Sequence, residues 1–256
     1  MGSDQFRDHF SQAAPEYAAF RPRYPTALFE ALAACVPGRR LAWDCATGSG
    51  QAAIGLAEHY DRVVATDASA AQIGAALPHP RVEYRVAPAE RSGLPAGSVD
   101  LVTVAQALHW LERGPFYAEA GRVLAPGGAI AVWCYALMEI DPVIDALVRR
   151  FYRETVGAYW PPGRALIDTG YRDVEFPFEE VPLPPLRLEG AMTMPALAGY
   201  LRTWSAVLRF RQATGHDPVT ELEAAIRPLW GDPGRPREVR WPLAVRAGRL
   251  PGRAGG

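Results

Sequence analysis

The residues best suited to chemistry lie in a glycine-rich turn and at an acid that follows it. The turn reads Asp44-Cys45-Ala46-Thr47-Gly48-Ser49-Gly50 and comes after a short apolar run. Its glycines fit the pattern G-x-G-x-x-A, which ends at Ala53, and Asp67 lies 19 residues beyond Gly48. Glycines let the backbone approach a ligand without a Cβ clash, and an acid at this spacing suits ribose hydroxyls. The pattern therefore predicts a nucleoside-containing ligand.

The position of Asp44 separates two classes of ligand. In a dinucleotide site the pyrophosphate lies on the glycine turn, so a carboxylate four residues before Gly48 would repel it. A cationic sulfonium that also carries an α-ammonium group, as in S-adenosylmethionine, tolerates this carboxylate. Asp67 would accept hydrogen bonds from ribose hydroxyls in either case. A third interpretation is that both acids only cap the helices that follow them.

His109 is the histidine best placed to act as a general base. It follows the apolar run 99–105, and ligands of open α/β sheets bind where the strands end. A base is needed only if the reacting group is a hydroxyl or a protonated amine, because a carboxylate is already ionised at neutral pH. The alternative is that His109 and Trp110 only shape the floor of a pocket.

The second half of the chain is rich in aromatic residues, which can wall an acceptor pocket or fill the core of a small helical cap. Three arginines, Arg202, Arg209 and Arg211, could bind an acceptor carboxylate or form a solvated face. The aromatic residues are Tyr152, Tyr159, Trp160, Trp204, Trp230 and Trp241.

The elements that must position these residues alternate between strands and helices. The nearly continuous apolar run 99–105 is typical of a strand covered on both faces. We predict an α/β fold: a doubly wound, mainly parallel, Rossmann-like seven-stranded sheet with helices on both faces. The predicted strands are 41–44, 62–67, 82–86, 99–105 and 129–133, and the predicted helices are 5–20, 25–35, 51–59, 69–76 and 115–124.

Beyond residue 140 the alternation changes, and a small helical cap is predicted within the C-terminal half. We expect helices at 142–155, 194–204 and 219–230, with two further strands at 174–181 and 239–247. The predicted organisation is an N-terminal helical segment that covers the ligand (1–35), the ligand-binding core (36–140), C-terminal strands and a cap that complete the same domain (141–248), and a flexible tail (249–256).

Composition narrows the function further. The sequence contains no lysine, which excludes a P-loop lysine, a Schiff-base lysine and a Tyr-x-x-x-Lys dehydrogenase pair. The net charge of -1 gives no reason to bind nucleic acid or an anionic membrane, and the three cysteines are too far apart for a metal site. We expect a cytoplasmic protein, a monomer or a homodimer, without metal, membrane or nucleic-acid partners.

Short motifs follow one another in order along the first half of the chain, at 44–50 (DCATGSG), 64–69 (VATDAS), 89–90 (AE) with 94–95 (LP), 98–102 (SVDLV), 106–110 (QALHW) and 124–128 (LAPGG). Together they resemble the type 11 methyltransferases, within class I. The opening segment 17–25 (YAAFRPRYP) is similar to the branch that includes trans-aconitate methyltransferase. The resemblance covers about residues 5–135 and is looser beyond 140.

The resemblance implies S-adenosylmethionine as the cofactor, S-adenosylhomocysteine as its product and a small molecule as the methyl acceptor. It implies that Asp67 binds the ribose, that Ala89 and Glu90 border the adenine, and that Tyr17 and Arg21 fold over the cofactor. The full implied cofactor-binding set is Tyr17, Arg21, Asp44, Ala46, Thr47, Gly48, Gly50, Asp67, Ala68, Ala89, Glu90 and Gln106, with His109 as the catalytic candidate.

Pro88 departs from the family pattern. Many relatives have an aspartate at this position, suited to the adenine amino group, whereas proline has neither a backbone N–H nor a side-chain acceptor. Adenine recognition is then expected to rest on Glu90 and nearby backbone groups. The expected function is methyl transfer to a carboxylate or hydroxyl of a small molecule. The alternatives are a cofactor-binding module without catalysis and an NAD-dependent oxidoreductase.

Overall fold

A computed structural model describes residues 21–251, which form nine strands. Seven of them make one sheet in the order β3-β2-β1-β4-β5-β9-β6, and β7 pairs with β8 in a separate small sheet. The strands are β1 (Leu41–Cys45), β2 (Arg62–Asp67), β3 (Val82–Val86), β4 (Val99–Ala105), β5 (Leu124–Tyr135), β6 (Glu179–Glu180), β7 (Leu188–Met192), β8 (Arg237–Trp241) and β9 (Leu243–Arg249).

Nine α-helices lie within the same described residues. Short 3-10 turns occupy Leu108–Trp110 and Gly157–Tyr159, and a π-helical segment, Phe151–Thr155, continues the fifth helix. The helices are α1 (Thr26–Ala34), α2 (Gln51–Ala57), α3 (Ala70–Gly74), α4 (Arg113–Val123), α5 (Pro142–Arg150), α6 (Arg164–Asp168), α7 (Met194–Arg202), α8 (Ser205–Thr214) and α9 (Val219–Trp230). No helix in residues 21–251 is long and apolar enough to cross a membrane.

The seven-stranded sheet confirms the predicted fold class. Its first five strands run parallel, β9 runs antiparallel to β5, and apolar clusters cover both faces. Six of the seven residues of β4 are buried, as expected for the central strand of a sheet with helices on both sides. Burial on both faces explains why the sequence of this strand is mainly apolar.

The strand order places a topological switch point between β1 and β4. From β1 the chain continues towards β2 on one side, whereas from β4 it continues towards β5 on the other. Each of these strands is followed directly by a residue other than glycine with left-handed backbone, Ala46 (φ 54°) after β1 and Gln106 (φ 55°) after β4. Ligands of open α/β sheets bind in the crevice outside the strand ends at this point. The functional residues are therefore sought here.

The C-terminal half forms a third apolar cluster, built from α5, α7, α8, α9 and the β7–β8 pair. Asp141 caps α5 by accepting from the backbone N–H groups of Val143 and Ile144, each at 3.0 Å. Thr193 caps α7 in the same manner, through the N–H of Ala196. These caps explain why two of the predicted helices begin where the sequence indicates.

Two of the predicted strands are wrong in extent. The single strand predicted at 239–247 is two strands, β8 and β9, in different sheets, because Pro242 between them has no N–H to continue a ladder. The strand predicted at 174–181 is reduced to Glu179–Glu180, which follows Pro177. The sequence interpretation also missed α8 and β7, and β9 extends to Arg249, inside the predicted tail. The helix predicted at 5–20 and residues 252–256 lie outside the described residues.

Candidate functional site

The glycine turn joins β1 to α2 in a conformation that requires its glycines. Gly48 and Gly50 have φ angles of 57° and 88°, which side chains on L residues rarely tolerate. A Cβ on Gly50 would lie 2.3 Å from the hydroxyl oxygen of Tyr84, so the side chain of Tyr84 would also have to move. The turn thereby brings its backbone to the switch point.

Asp67 ties the end of β2 to this turn. Its Oδ2 accepts from the N–H of Gly48 and its Oδ1 from the N–H of Ser69, each at 2.9 Å. Ser69, not Asp67, is the N-cap of α3, and Gly50 holds the N-cap position of α2. Neither predicted acid is therefore the cap of the helix that follows it, and the capping interpretation does not account for them.

Asp44 is a buried carboxylate beneath the turn. It accepts hydrogen bonds from the hydroxyl groups of Thr47 and Thr103, the latter at 2.8 Å. Burial raises the pKa of Asp44 to about 6, although the two hydroxyl donors act in the opposite direction. At neutral pH the carboxylate is thus mainly ionised in a dry environment. A buried negative charge of this kind favours a cationic ligand and disfavours a pyrophosphate.

The loop after β3 carries Ala89 and Glu90, and α4 holds this loop in place. The carboxylate of Glu119 accepts from the backbone N–H and the hydroxyl of Ser92, at 2.8 and 2.5 Å, and pairs with Arg122. Arg122 also donates to the carbonyl of Leu94. The hydrogen bonds from Arg122 and Ser92 lower the pKa of Glu119 to about 2, so the carboxylate remains ionised.

Gln106 joins the ends of β4 and β5. Its side-chain Oε1 accepts from the backbone N–H of Tyr135 at 2.8 Å, and its Nε2 donates to the carbonyl of the same residue at 3.2 Å. Its own N–H donates to the carbonyl of Trp133. The side-chain amide is therefore fixed at the switch point by two backbone partners, which explains how its left-handed backbone is maintained.

A pocket lies between this edge of the sheet and the C-terminal cluster. The edge contributes Gln106 and His109, and the C-terminal half contributes Trp160, Arg164 and Trp204. Arg21, the first described residue, lines the same pocket, donates to the hydroxyl of Tyr135 at 2.9 Å and lies over the ring of Tyr200 at 5.5 Å. None of the described residues that line the pocket carries a carboxylate.

His109 lies in the pocket, but its surroundings make it a poor base. Burial, together with the nearby charge of Arg164, lowers the pKa of His109 to about 3. Its Nδ1 lies 3.0 Å from the hydroxyl of Tyr171, and the two groups share a hydrogen bond. The ring is therefore a neutral hydrogen-bonding group.

Comparison with known proteins agrees with the geometry of the turn. A family model described as a methyltransferase domain matches residues 43–132, which span the turn, Asp67 and Gln106. A Dictyostelium discoideum protein named as a methyltransferase is 37% identical over 226 residues, covering 87% of this chain and 86% of its own length. The chain belongs to the S-adenosylmethionine-dependent methyltransferases.

Solved structures show similarity over most of the chain, beyond the residues that the family model matches. A protein of Anaeromyxobacter dehalogenans, described as a type II methyltransferase, is 51% identical with a TM-score of 0.84, over 91% of this chain and 99% of that one. A phosphoethanolamine N-methyltransferase of Haemonchus contortus, bound to S-adenosylhomocysteine, shares the fold at 15% identity, with a TM-score of 0.51 over 96% of this chain and 60% of that one.

The residues of the methyltransferase fit its cofactor. The ionised Asp44 would supply a negative charge to a sulfonium and an ammonium group, and the left-handed glycines of the turn lie beside it. The fixed carboxylate of Asp67 suits two neighbouring hydroxyl groups. Ala46 and Thr47 lie in the turn itself, and Ala68 follows Asp67.

The structure therefore brings most of the predicted residues to one edge of the sheet. Asp44, Gly48 and Asp67 meet at the turn, whereas Ala89 and Glu90 occupy the loop after β3, where Ala89 is half-buried and Glu90 exposed. Tyr17 lies outside the described residues.

The acceptor side was predicted less well. Arg202 pairs with Asp217 at 2.7 Å and with Glu223 at 3.4 Å, so its charge is used within the fold, and Arg211 is exposed. The sequence interpretation missed Arg164 and Tyr171, which contact the pocket residues. The aromatic segment beginning at Tyr159 was the available signal, because Arg164 follows it directly.

Proposed function

We propose that this methyltransferase transfers a methyl group to an oxygen atom of a small organic acceptor, a carboxylate or a hydroxyl. The pocket beside Gln106 carries the proposal, because it is walled by tryptophan rings and arginines and lies next to the cofactor crevice. Such concave aromatic pockets are typical of small-molecule sites. The motif order and the opening segment support membership of the branch that includes trans-aconitate methyltransferase.

The chain itself has three tasks in this reaction. S-adenosylmethionine supplies an electrophilic methyl group on a sulfonium. Asp44 and Asp67 bind and orient the cofactor, Gln106 fixes the strand ends beside it, and the aromatic walls exclude water. His109, with a pKa of about 3, is too weak a base to take a proton from a hydroxyl group efficiently at neutral pH. The site therefore favours an acceptor oxygen that is already ionised.

Isothermal titration calorimetry with S-adenosylmethionine and S-adenosylhomocysteine tests the cofactor half of the proposal. Asp67→Ala should weaken binding by about tenfold or more, equivalent to about 1.4 kcal/mol. Asp61→Ala is the matched control, because Asp61 is an exposed acid just before β2, and it should leave the affinity unchanged. Equal affinities for the native protein and Asp67→Ala would contradict the assignment, as would binding of NADH in place of the two sulfur compounds.

Methyl transfer to a panel of small carboxylic acids, phenols and alcohols tests the acceptor half. Formation of S-adenosylhomocysteine that depends on an acid or hydroxyl compound is the expected result. Methylation of amines or of nucleic acid in its place would overturn the assignment to oxygen of a small molecule.

A further inference from the structure

Tyr171 is a fully buried residue whose hydroxyl group reaches a residue of the pocket. It is 0% exposed, and its hydroxyl oxygen lies 3.0 Å from Nδ1 of His109. Burial raises the pKa of Tyr171 well above its usual range, so the hydroxyl keeps its proton at neutral pH. The centres of the two rings are 6.3 Å apart and their planes are tilted by 32°. The two side chains therefore meet through a hydrogen bond and not through close ring stacking.

The backbone of Tyr171 has a conformation that tyrosine rarely adopts. Its φ angle is 59°, directly after a φ angle of 62° at Gly170. The glycine is explained by the end of α6, where its N–H donates to the carbonyl of Ile167 at 2.9 Å. A left-handed tyrosine costs free energy, and the N–H of Tyr171, which donates to the carbonyl of Leu166 at 2.9 Å, helps to maintain it. Strain of this kind is typical of a residue whose side chain must be placed accurately.

Strand β9 fixes the same segment through one arginine. Nη1 of Arg246 donates to the carbonyls of Tyr171 and Val174, at 2.8 and 2.7 Å. Its guanidinium also lies 4.6 Å from the ring centre of Phe176 and pairs with Glu180, and its side chain is only 18% exposed. These contacts leave the backbone that carries the tyrosine ring little freedom to move.

The second ring nitrogen of His109 is left for a ligand. Within residues 21–251, Nε2 has no hydrogen-bond partner and is not sealed from solvent, and the residue lines the pocket. A neutral imidazole has one donor nitrogen and one acceptor nitrogen, so the hydrogen bond at Nδ1 determines the role of Nε2. Without a partner at Nδ1 the ring would exchange between tautomers.

We infer that Tyr171 is a positioning residue that acts on the methyl acceptor through His109. Its hydroxyl holds the neutral imidazole in one orientation and one tautomer, so that Nε2 presents a single hydrogen-bonding role to the acceptor. The inference rests on the proposed methyl transfer to a small molecule and adds a residue that touches neither ligand, because Tyr171 is fully buried. A tyrosine that only filled the core would need its ring but not its hydroxyl.

Tyr171→Phe removes this hydroxyl and keeps the ring. Long-range ¹H–¹⁵N spectra of the protein with labelled histidine, saturated with S-adenosylhomocysteine, report the tautomer of each imidazole, and His109→Gln identifies the signal of His109. The native protein should show one tautomer with well-separated nitrogen shifts. In Tyr171→Phe the two shifts should move towards each other.

Tyr117→Phe is the matched control for these spectra. The hydroxyl of Tyr117 is also buried but has no hydrogen-bond partner in the described part of the chain. Its removal should therefore leave the His109 signal unchanged. A thermal unfolding curve of each variant confirms that it folds.

Kinetics with a methylated compound from the panel of acids, phenols and alcohols show whether the hydroxyl acts through His109. Tyr171→Phe should raise the acceptor KM about threefold to tenfold and leave the affinity for S-adenosylhomocysteine unchanged. In a His109→Phe background the same substitution should change KM by about twofold or less, because the hydroxyl has already lost its partner.

Three results would overturn the inference: a native His109 that already averages between tautomers, an unchanged His109 signal in Tyr171→Phe, or an equal rise in KM in both backgrounds. The last two would mean that the hydroxyl has only a structural role. A panel in which no compound is methylated would instead overturn the proposed function, and the histidine spectra would still decide whether Tyr171 holds His109. The two failures are therefore distinguishable.

Discussion

At the scale of single residues, the buried charge of Asp44 destabilises the fold and, in the proposed function, binds the cofactor. A carboxyl group with a pKa of about 6 in the folded chain, against 3.8 as a reference, is more easily protonated when folded than when unfolded. Its ionisation therefore lowers the free energy of unfolding progressively as pH rises from about 4 to 6, and the full penalty is present above that range. The same negative charge is what a sulfonium requires.

Asp44→Asn should accordingly stabilise the ligand-free protein and impair it as an enzyme. Asparagine carries no charge and keeps one of the two oxygens, and the threonine hydroxyl that faces its NH2 group, of Thr47 or of Thr103, would accept a hydrogen bond instead of donating one. Thermal unfolding at pH 8 should show a higher Tm for the variant, and the difference should shrink towards pH 4. Calorimetry at pH 8 should show S-adenosylmethionine binding weakened by about tenfold or more. A variant that is destabilised at pH 8 would show that the charge, not the oxygen, is needed by the fold.

His109 should act as a neutral hydrogen-bonding group and not as a base. His109→Gln retains an N–H group at a similar reach and should keep most of kcat, whereas His109→Phe should raise the acceptor KM. General-base catalysis contributes about 10²–10⁴-fold, so a base at this position would make both variants lose at least two orders of magnitude in kcat. The imidazole signals of His109 in NMR should show a neutral ring from pH 8 down to about pH 5, in agreement with a pKa near 3.

At the scale of elements, the strand bounds were predicted correctly for parallel strands in the first half of the chain and poorly for the C-terminal strands. Strands β2, β3 and β4 have the bounds predicted from sequence. β2 and β4 lie inside the sheet and are short, mainly apolar runs that end in polar or turn residues, whereas β3 is the edge strand and alternates in character. The C-terminal strands pair with partners far away in sequence, so their extent depends on Pro177 and Pro242 and not on local hydrophobicity. The cofactor residues were predictable because they follow strand ends.

The residues of the proposed acceptor pocket could not be predicted, because they do not follow strand ends. Arg164 lies on a helix of five residues, and Tyr171 follows it with a left-handed backbone of φ 59°. Nothing in their local sequence indicates that this segment returns to the end of β4, where His109 lies. Tertiary contacts of His109 with Gly163 and Tyr171 bring the two halves of the pocket together.

This contact yields a prediction about the short segment before α6. In Gly163→Ala the new Cβ would lie 2.5 Å from the backbone oxygen of His109, which cannot move without the 3-10 turn that carries it. We expect the acceptor KM to rise severalfold while the affinity for S-adenosylhomocysteine stays unchanged. Gly114→Ala in α4 is the control, because its Cβ would meet no atom within 4 Å. An unchanged KM in Gly163→Ala would mean that the pocket tolerates this displacement.

At the scale of the whole molecule, the proposed function places the two ligands on different parts of the chain. The proposed cofactor crevice lies at the ends of β1, β2 and β4, whereas much of the proposed acceptor pocket comes from residues beyond 135. Gln106 is the exception, because it lines the pocket and also bonds to the backbone of β5 at the crevice. Cofactor binding and acceptor binding should therefore be separable by mutation.

Ligand-linked unfolding measures this separation directly. A ligand at 100 times its Kd stabilises the folded state by about 2.7 kcal/mol, which should raise the Tm of a protein of this size by roughly 5–10 °C. With S-adenosylhomocysteine at a concentration that saturates the native protein, Asp67→Ala should lose most of this rise. Trp160→Ala, which removes a ring beneath Arg164, should retain it despite a lower Tm without ligand. If Trp160→Ala also lost the rise, the cap would take part in holding the cofactor, and the two sites would have to form together.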